Sequence, residues 1–179
     1  MPHKIEGGVG FGRMNERERD AILALLPDRG TMLEIGTFHG VSAAYWSLCQ
    51  PRLRNTSIDP FVADIGTDAG SKENWTANAT SKQSLFVGTS VDFLRAWNST
   101  RGGFDVIFVD GAHSLKWAIV DLMVSKVLLH KRGTILVHDY GFPKNPEIGG
   151  VTKAVRNFCK TEGFRLVQTF HRTAVLKRG

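Results

Sequence analysis

The residues able to do chemistry in this sequence sit where apolar runs stop. FDVIFV (104–109) gives way to Asp110, Gly111, Ala112, His113 and Ser114, and TILV (134–137) gives way to His138, Asp139 and Tyr140. Two carboxylates on neighbouring strand tips, 29 residues apart in sequence, suit an oxygen-liganded divalent cation such as magnesium. The imidazole of His113 beside them suits proton transfer near neutral pH. A third run ends at Asp59 in TSIDPF, 19 residues after Gly40. A carboxylate there has two acceptor oxygens, as many as a ribose diol has hydroxyls. Upstream, TMLEIGTFHG (31–40) carries Glu34, Gly36, Thr37 and Gly40. Glycines let backbone amides at a helix start approach an anionic group, and Glu34 can receive an ammonium. Together these groups describe a cradle for an adenosine-bearing ligand.

The elements that must position these groups alternate. Asn15 and Glu18 can cap a first helix bearing Ile22, Leu23, Leu25 and Leu26, ended by Pro27. Strands are expected at 31–35, 55–58, 84–87, 104–109 and 134–137, with helices at 40–49, 72–79, 90–97, 114–129 and 150–162. Ser90 then lies just past the third strand, where an adenine edge would rest, and Phe61 or Trp75 lies within reach of the base. The nearly all-apolar 104–109 run reads as a strand buried on both faces. FRLVQTF (164–170) and TAVLK (173–177) are separated by only His171 and Arg172. Two residues cannot hold a crossover helix, so this last pair is antiparallel. The fold class is therefore α/β: a Rossmann-like three-layer sandwich with a mostly parallel seven-stranded sheet and a C-terminal antiparallel hairpin.

That pattern, with the E-x-G-x-x-x-G turn of Glu34, Gly36 and Gly40, resembles the class I S-adenosylmethionine (SAM) methyltransferases. A dinucleotide fold would instead show G-x-G-x-x-G. VDGAHS (109–114), LVHDY (136–140) and GGVTKAV (149–155) narrow the resemblance to the small branch related to macrocin O-methyltransferase and cephalosporin hydroxylase, over about residues 30–160. The resemblance implies SAM bound by Glu34, Gly36, Thr37, Gly40, Asp59, Ser90 and Asp110, and methyl transfer to a hydroxyl of a small molecule such as a sugar or secondary metabolite. It also implies magnesium held by Asp110 and Asp139. Tyr140 and Ala112 depart from the metal-dependent pattern, which carries acids or an amide at these places, so His113 becomes the leading general base beside Asp110 and Asp139.

At 179 residues, 42% hydrophobic and 22% charged, the chain is expected to form one domain, with residues 1–14 loose. No apolar run spans a bilayer or forms a signal-peptide core, so a cytoplasmic location is the expectation. Cys49 and Cys159 lack metal-ligand spacing and read as reduced packing residues. The net charge of +6, from 23 basic and 17 acidic side chains, is scattered without interleaved aromatics, which disfavours nucleic acid. Two alternatives stay open: a SAM-binding protein without transferase activity, and a nucleic-acid methyltransferase. The latter lacks its N/D-P-P-Y/F motif here. With short insertions between strands, the acceptor pocket must come from the N-terminal segment, loops 60–71 and 140–149, or a second copy in a homodimer.

Overall fold

The computed structural model describes residues 14, 16–62, 70–98 and 102–179. In chain order the elements are α1 (Glu16–Leu25), β1 (Arg29–Ile35), α2 (Val41–Cys49), β2 (Arg52–Asp59), α3 (Lys72–Asn78), β3 (Gln83–Val87) and α4 (Ser90–Ala96). There follow β4 (Phe104–Val109), α5 (Leu115–Leu128), β5 (Leu129–Val137), α6 (Gly149–Thr161), β6 (Phe164–Phe170) and β7 (Thr173–Arg178). The seven strands form one sheet in the order β3-β2-β1-β4-β5-β7-β6. β1 to β5 are mutually parallel, and β7 runs antiparallel to both β5 and β6.

Strand alternation sends successive side chains to opposite faces, and the sheet buries both. Leu33, Ile35, Ile107, Val109, Ile135 and Val137 meet Phe93 of α4, Leu122 of α5 and Val155 of α6. Met32, Phe108, Leu136 and Val175 meet Ile22 of α1 and Tyr45 and Trp46 of α2. The expected three-layer sandwich is what forms. Each fully buried Leu or Ile side chain contributes roughly 1.5–3 kcal/mol, so the strand tips rest on a frame sealed on both sides.

Several strands are longer than the apolar pattern suggests, β2 and β5 by the most. β2 starts at Arg52 rather than 55, because exposed Arg52 and Arg54 alternate with buried Leu53 and Asn55. β5 begins at Leu129, straight out of α5, although His130, Lys131 and Arg132 are exposed. Polar residues on a solvated strand face still pair through their backbones, which a search for apolar runs misses. Glu18, expected as a capping partner, is fully buried. It accepts the Arg172 amide at 3.0 Å and the Thr173 hydroxyl at 2.8 Å. Asn15, residues 1–13 and much of the 60–71 loop lie outside the described residues, while Met14 is buried against α1 and β1.

Candidate functional site

β1 lies between β2 and β4. The chain winds outward from it in both directions, so a crevice opens at the carboxyl ends of these strands. Gly36 forms its floor. Its amide donates to the Ile58 carbonyl at 2.9 Å, and the Asp110 amide donates to Ile35 at 2.8 Å. With φ of 84° and the Asp110 carbonyl packed against its Cα, this position excludes a side chain on two grounds. Gly40 caps α2 in a left-handed conformation, φ 75°, against the buried Trp75 ring. Trp75 is thereby occupied in packing.

Asp59 holds the turn above that floor. Its Oδ2 accepts the Thr37 amide at 3.0 Å and the Phe38 amide at 2.8 Å, and its Oδ1 accepts the Phe61 amide at 2.7 Å. A carboxylate offers about four lone-pair sites, so in this arrangement one remains for a ligand hydroxyl. Both ribose hydroxyls can bind only if one backbone amide yields. Thr37 itself is buried, and its backbone faces Asp59.

Glu34 sits beneath the crevice, fully buried. Ser42 donates to one carboxylate oxygen at 2.5 Å and Ser57 to the other at 2.9 Å. Burial lifts its pKa to about 7 against these hydroxyls, and the nearby Asp110 charge adds to the rise. The geometry therefore places Glu34 below the surface a ligand would touch. Ser90, at the start of α4, points inward and donates to Asp121 at 2.5 Å.

The tips of β4 and β5 carry the second half of the site. His113 Nε2 lies 2.9 Å from Asp139 Oδ2, and His138 Nδ1 lies 3.0 Å from Asp110 Oδ1. Behind them, Glu18 Oε2 is 3.6 Å from His138 Nε2, and Arg172 pairs with Asp139 Oδ1. Burial opposes charge on His138, but the adjoining Asp110, together with Glu18 and Asp139, raises its pKa to about 10. His138 is therefore an imidazolium supporting the strand tips from below. Burial alone would raise the Asp139 pKa, yet His113, His138 and Arg172 hold it below the usual carboxylate range. Asp139 takes φ of 59°, a left-handed conformation that is tolerated where surrounding bonds fix it.

Gly149–Thr161 brings α6 against this edge. A side chain on Gly150 would strike the backbone at His113, Ser114 and Leu115, which gives GGVTKAV its physical meaning. Thr152 accepts the Gly141 and Phe142 amides at 2.9 and 3.1 Å, fixing the start of loop 140–149.

Asp110, His113 and Asp139 each offer one donor atom, all within 4.8 Å of one another. The 2.9 Å separation of His113 and Asp139 is close to the ~3 Å between adjacent ligands of a six-coordinate ion with ~2.1 Å bonds. The residues fit one divalent cation. The imidazole nitrogen favours manganese or iron(II) over magnesium, which prefers oxygen throughout. The pairing residues Glu18 and Arg172, the Glu34 partners Ser42 and Ser57, and Asp121 were not singled out by motif. Asp121 had a signal: it lies on the helical stripe of Ala118, Leu122 and Ser125 that faces the core.

A parallel sheet closed by a reversed final strand, with its glycine turn at the strand crossing and acids at three tips, defines a class I SAM-dependent methyltransferase. The chain belongs to a family described as a methyltransferase domain, whose sequence model matches residues 33–140. No curated protein matches it in sequence. Among solved structures it is similar to the O-methyltransferase TomG of Streptomyces achromogenes, involved in tomaymycin synthesis and crystallised with SAM. That match has 19% identity and a TM-score of 0.67, covering 91% of this chain and 79% of that one. It is also similar to an O-methyltransferase of Bacillus cereus in complex with SAH, S-adenosylhomocysteine (15% identity, TM-score 0.64, 91% and 80% covered). CalS11, a TDP-rhamnose 3'-O-methyltransferase of calicheamicin biosynthesis, matches at 17% identity and a TM-score of 0.60, with 91% and 80% covered. At these identities the likeness is one of fold. No described helix is long and apolar enough to cross a membrane.

Proposed function

We propose that this chain transfers the methyl group of SAM to a hydroxyl of a small molecule, a sugar or secondary metabolite, with His113 taking the hydroxyl proton. The observation that carries this reading is the 2.9 Å contact of His113 with Asp139, on strand tips beside the crevice of a methyltransferase fold. SAM supplies, when bound, a methyl on a positively charged sulfur that leaves as a neutral thioether. Asp59, through the one acceptor site its amide contacts leave, holds a ribose hydroxyl, and the turn from Gly36 to Gly40 supports the nucleoside and its amino-acid tail. Alignment of this kind supplies much of the rate in an in-line displacement. Asp139 anchors one ring nitrogen of His113, which sets the orientation of the base, and Arg172 with His138 keeps Asp139 ionised.

The same three donor atoms support a second reading, in which Asp110, His113 and Asp139 hold a divalent cation. Such an ion would acidify the acceptor hydroxyl, and His113 would then be a ligand instead of the base. The test is SAH release from SAM with a panel of hydroxylated acceptors. His113→Ala should lower turnover about 100-fold or more with SAH affinity unchanged. Turnover that is abolished by a chelator and restored by manganese selects the cation reading. Turnover indifferent to chelation retires it. Sedimentation at micromolar concentration checks the expected homodimer.

A further inference from the structure

α4 leaves part of the sheet face it covers open. A cavity of about 280 Å³ lies between β2, β3 and the end of α4, lined by Thr56, Ser84, Phe86, Phe93, Ala96 and Trp97. Thr56 stands three residues before Asp59 on β2, about 10 Å from the strand tip. The cavity is thus separate from the crevice above Gly36. Its walls are aromatic. Phe86 and Phe93 meet edge to face with ring centroids 5.3 Å apart, and Trp97 lies 5.3 Å from Phe93. Phe93 is buried, whereas Phe86 and Trp97 are half-buried and leave ring surface open. Its floor is polar. The Thr56 and Ser84 hydroxyls share one hydrogen bond of 3.1 Å. Whichever donates, the other keeps a proton for a ligand acceptor.

No charged residue lines the cavity, but its rim is basic. Ile58 shares a core cluster with Phe93, and strand alternation puts Thr56, Arg54 and Arg52 on that same face. Arg54 is one two-residue step from Thr56, about 7 Å. Arg29 of β1 is in register with Arg52. All three arginines are exposed, and among the described residues none of them forms an ion pair. The neighbouring Asp105 is already engaged, its Oδ2 accepting the Thr31 amide at 2.9 Å and hydroxyl at 3.2 Å.

Aromatic walls take the face of a planar ring, hydroxyls take its polar edge, and guanidinium groups grip a phosphate through paired N–H donors. The volume is just below the ~300 Å³ lower end of small-ligand sites. It suits a single-ring base with one phosphate, not a stacked run of bases.

We propose that this cavity is a second binding site, for a pyrimidine nucleoside monophosphate. The base rests against Trp97 and Phe86, Thr56 and Ser84 meet its polar edge, and Arg54 and Arg52 hold the phosphate. The site stands apart from the SAM reading and holds whether or not that reading does.

The experiment is calorimetric titration of the full chain with uridine 5′-monophosphate, with and without saturating SAH. Binding should be tighter than about 1 mM and unchanged by SAH. Uridine, which lacks the phosphate, should bind about tenfold weaker or more. The double variant Arg52→Gln, Arg54→Gln changes only exposed positions and should weaken the monophosphate about tenfold or more. Trp97→Ala should weaken it about fivefold or more, with a melting curve to establish folding. If Trp97→Ala does not fold, the arginine variant decides. Five results overturn the assignment: no binding at 1 mM, equal binding of uridine, an arginine variant or a folded Trp97→Ala of unchanged affinity, displacement by SAH, or a uridine hexamer bound more than about tenfold tighter with an affinity that collapses in salt, the mark of a strand-tracking surface.

Discussion

Replacing Glu34 by glutamine should stabilise the protein at alkaline pH, and the structure sets the size of the effect. Glu34 is fully buried, and its pKa stands at about 7 against an ordinary value of 4.5. A pKa raised in the fold means that the native state binds the proton more tightly than the unfolded chain does. Its stabilising contribution is complete below pH 4.5, shrinks as pH rises, and is gone above about 7. A shift of that size, at ~1.4 kcal/mol per pH unit, corresponds to about 3.5 kcal/mol across the window. The amide introduced by Glu34→Gln would keep acceptor contact with one serine and donate to the other without ever ionising. The assay is thermal or urea unfolding of both proteins between pH 4 and 9. Melting temperatures should diverge steadily above pH 5, reaching roughly 7–14 °C at pH 8 for a chain of this size. Curves that stay parallel over the whole range would refute the claim that an ionising carboxylate is sealed beneath the glycine turn.

Asp59→Ala should weaken SAH binding about 10- to 100-fold, the worth of one or two charge-assisted hydrogen bonds, as read by calorimetry. It should also loosen the Thr37–Phe38 backbone, visible as faster amide exchange there. Gly36→Ala forces a Cβ into the Asp110 carbonyl at a φ of 84°, so little folded protein should be recovered, and any that folds should bind no SAH. His138→Gln removes the imidazolium that lies against Glu18, Asp110 and Asp139. Loss of one partner from such a buried group costs about 3–5 kcal/mol, measurable by urea unfolding at pH 7.

The frame of this site was legible because strand ends announce themselves. An apolar run stopping at Asp59, Asp110 or Asp139 tells both where the strand ends and what it presents. The two residues between β6 and β7 forbade a crossover, and the reversal followed. What stayed hidden depends on distance along the chain. Arg172 reads as half of a short turn, and nothing local says that its guanidinium reaches Asp139. Glu18 reads as a surface residue at a helix start, while in fact 154 positions separate it from the amide it accepts. Ser57, a polar residue on a buried strand face, and Asp121, an acid on a buried helix stripe, were visible anomalies. Each signalled a partner without naming it.

The bond between Glu18 and the β6–β7 turn ties the two halves of the edge across the chain. α1 supplies the acceptor and the turn supplies the Arg172 amide and the Thr173 hydroxyl, 154 and 155 positions away. Without the β6–β7 hairpin, Asp139 would lack its guanidinium and Glu18 its two donors. The edge of His113 and Asp139 is therefore complete only when distant segments have docked, so local order at the strand tips does not by itself make the site.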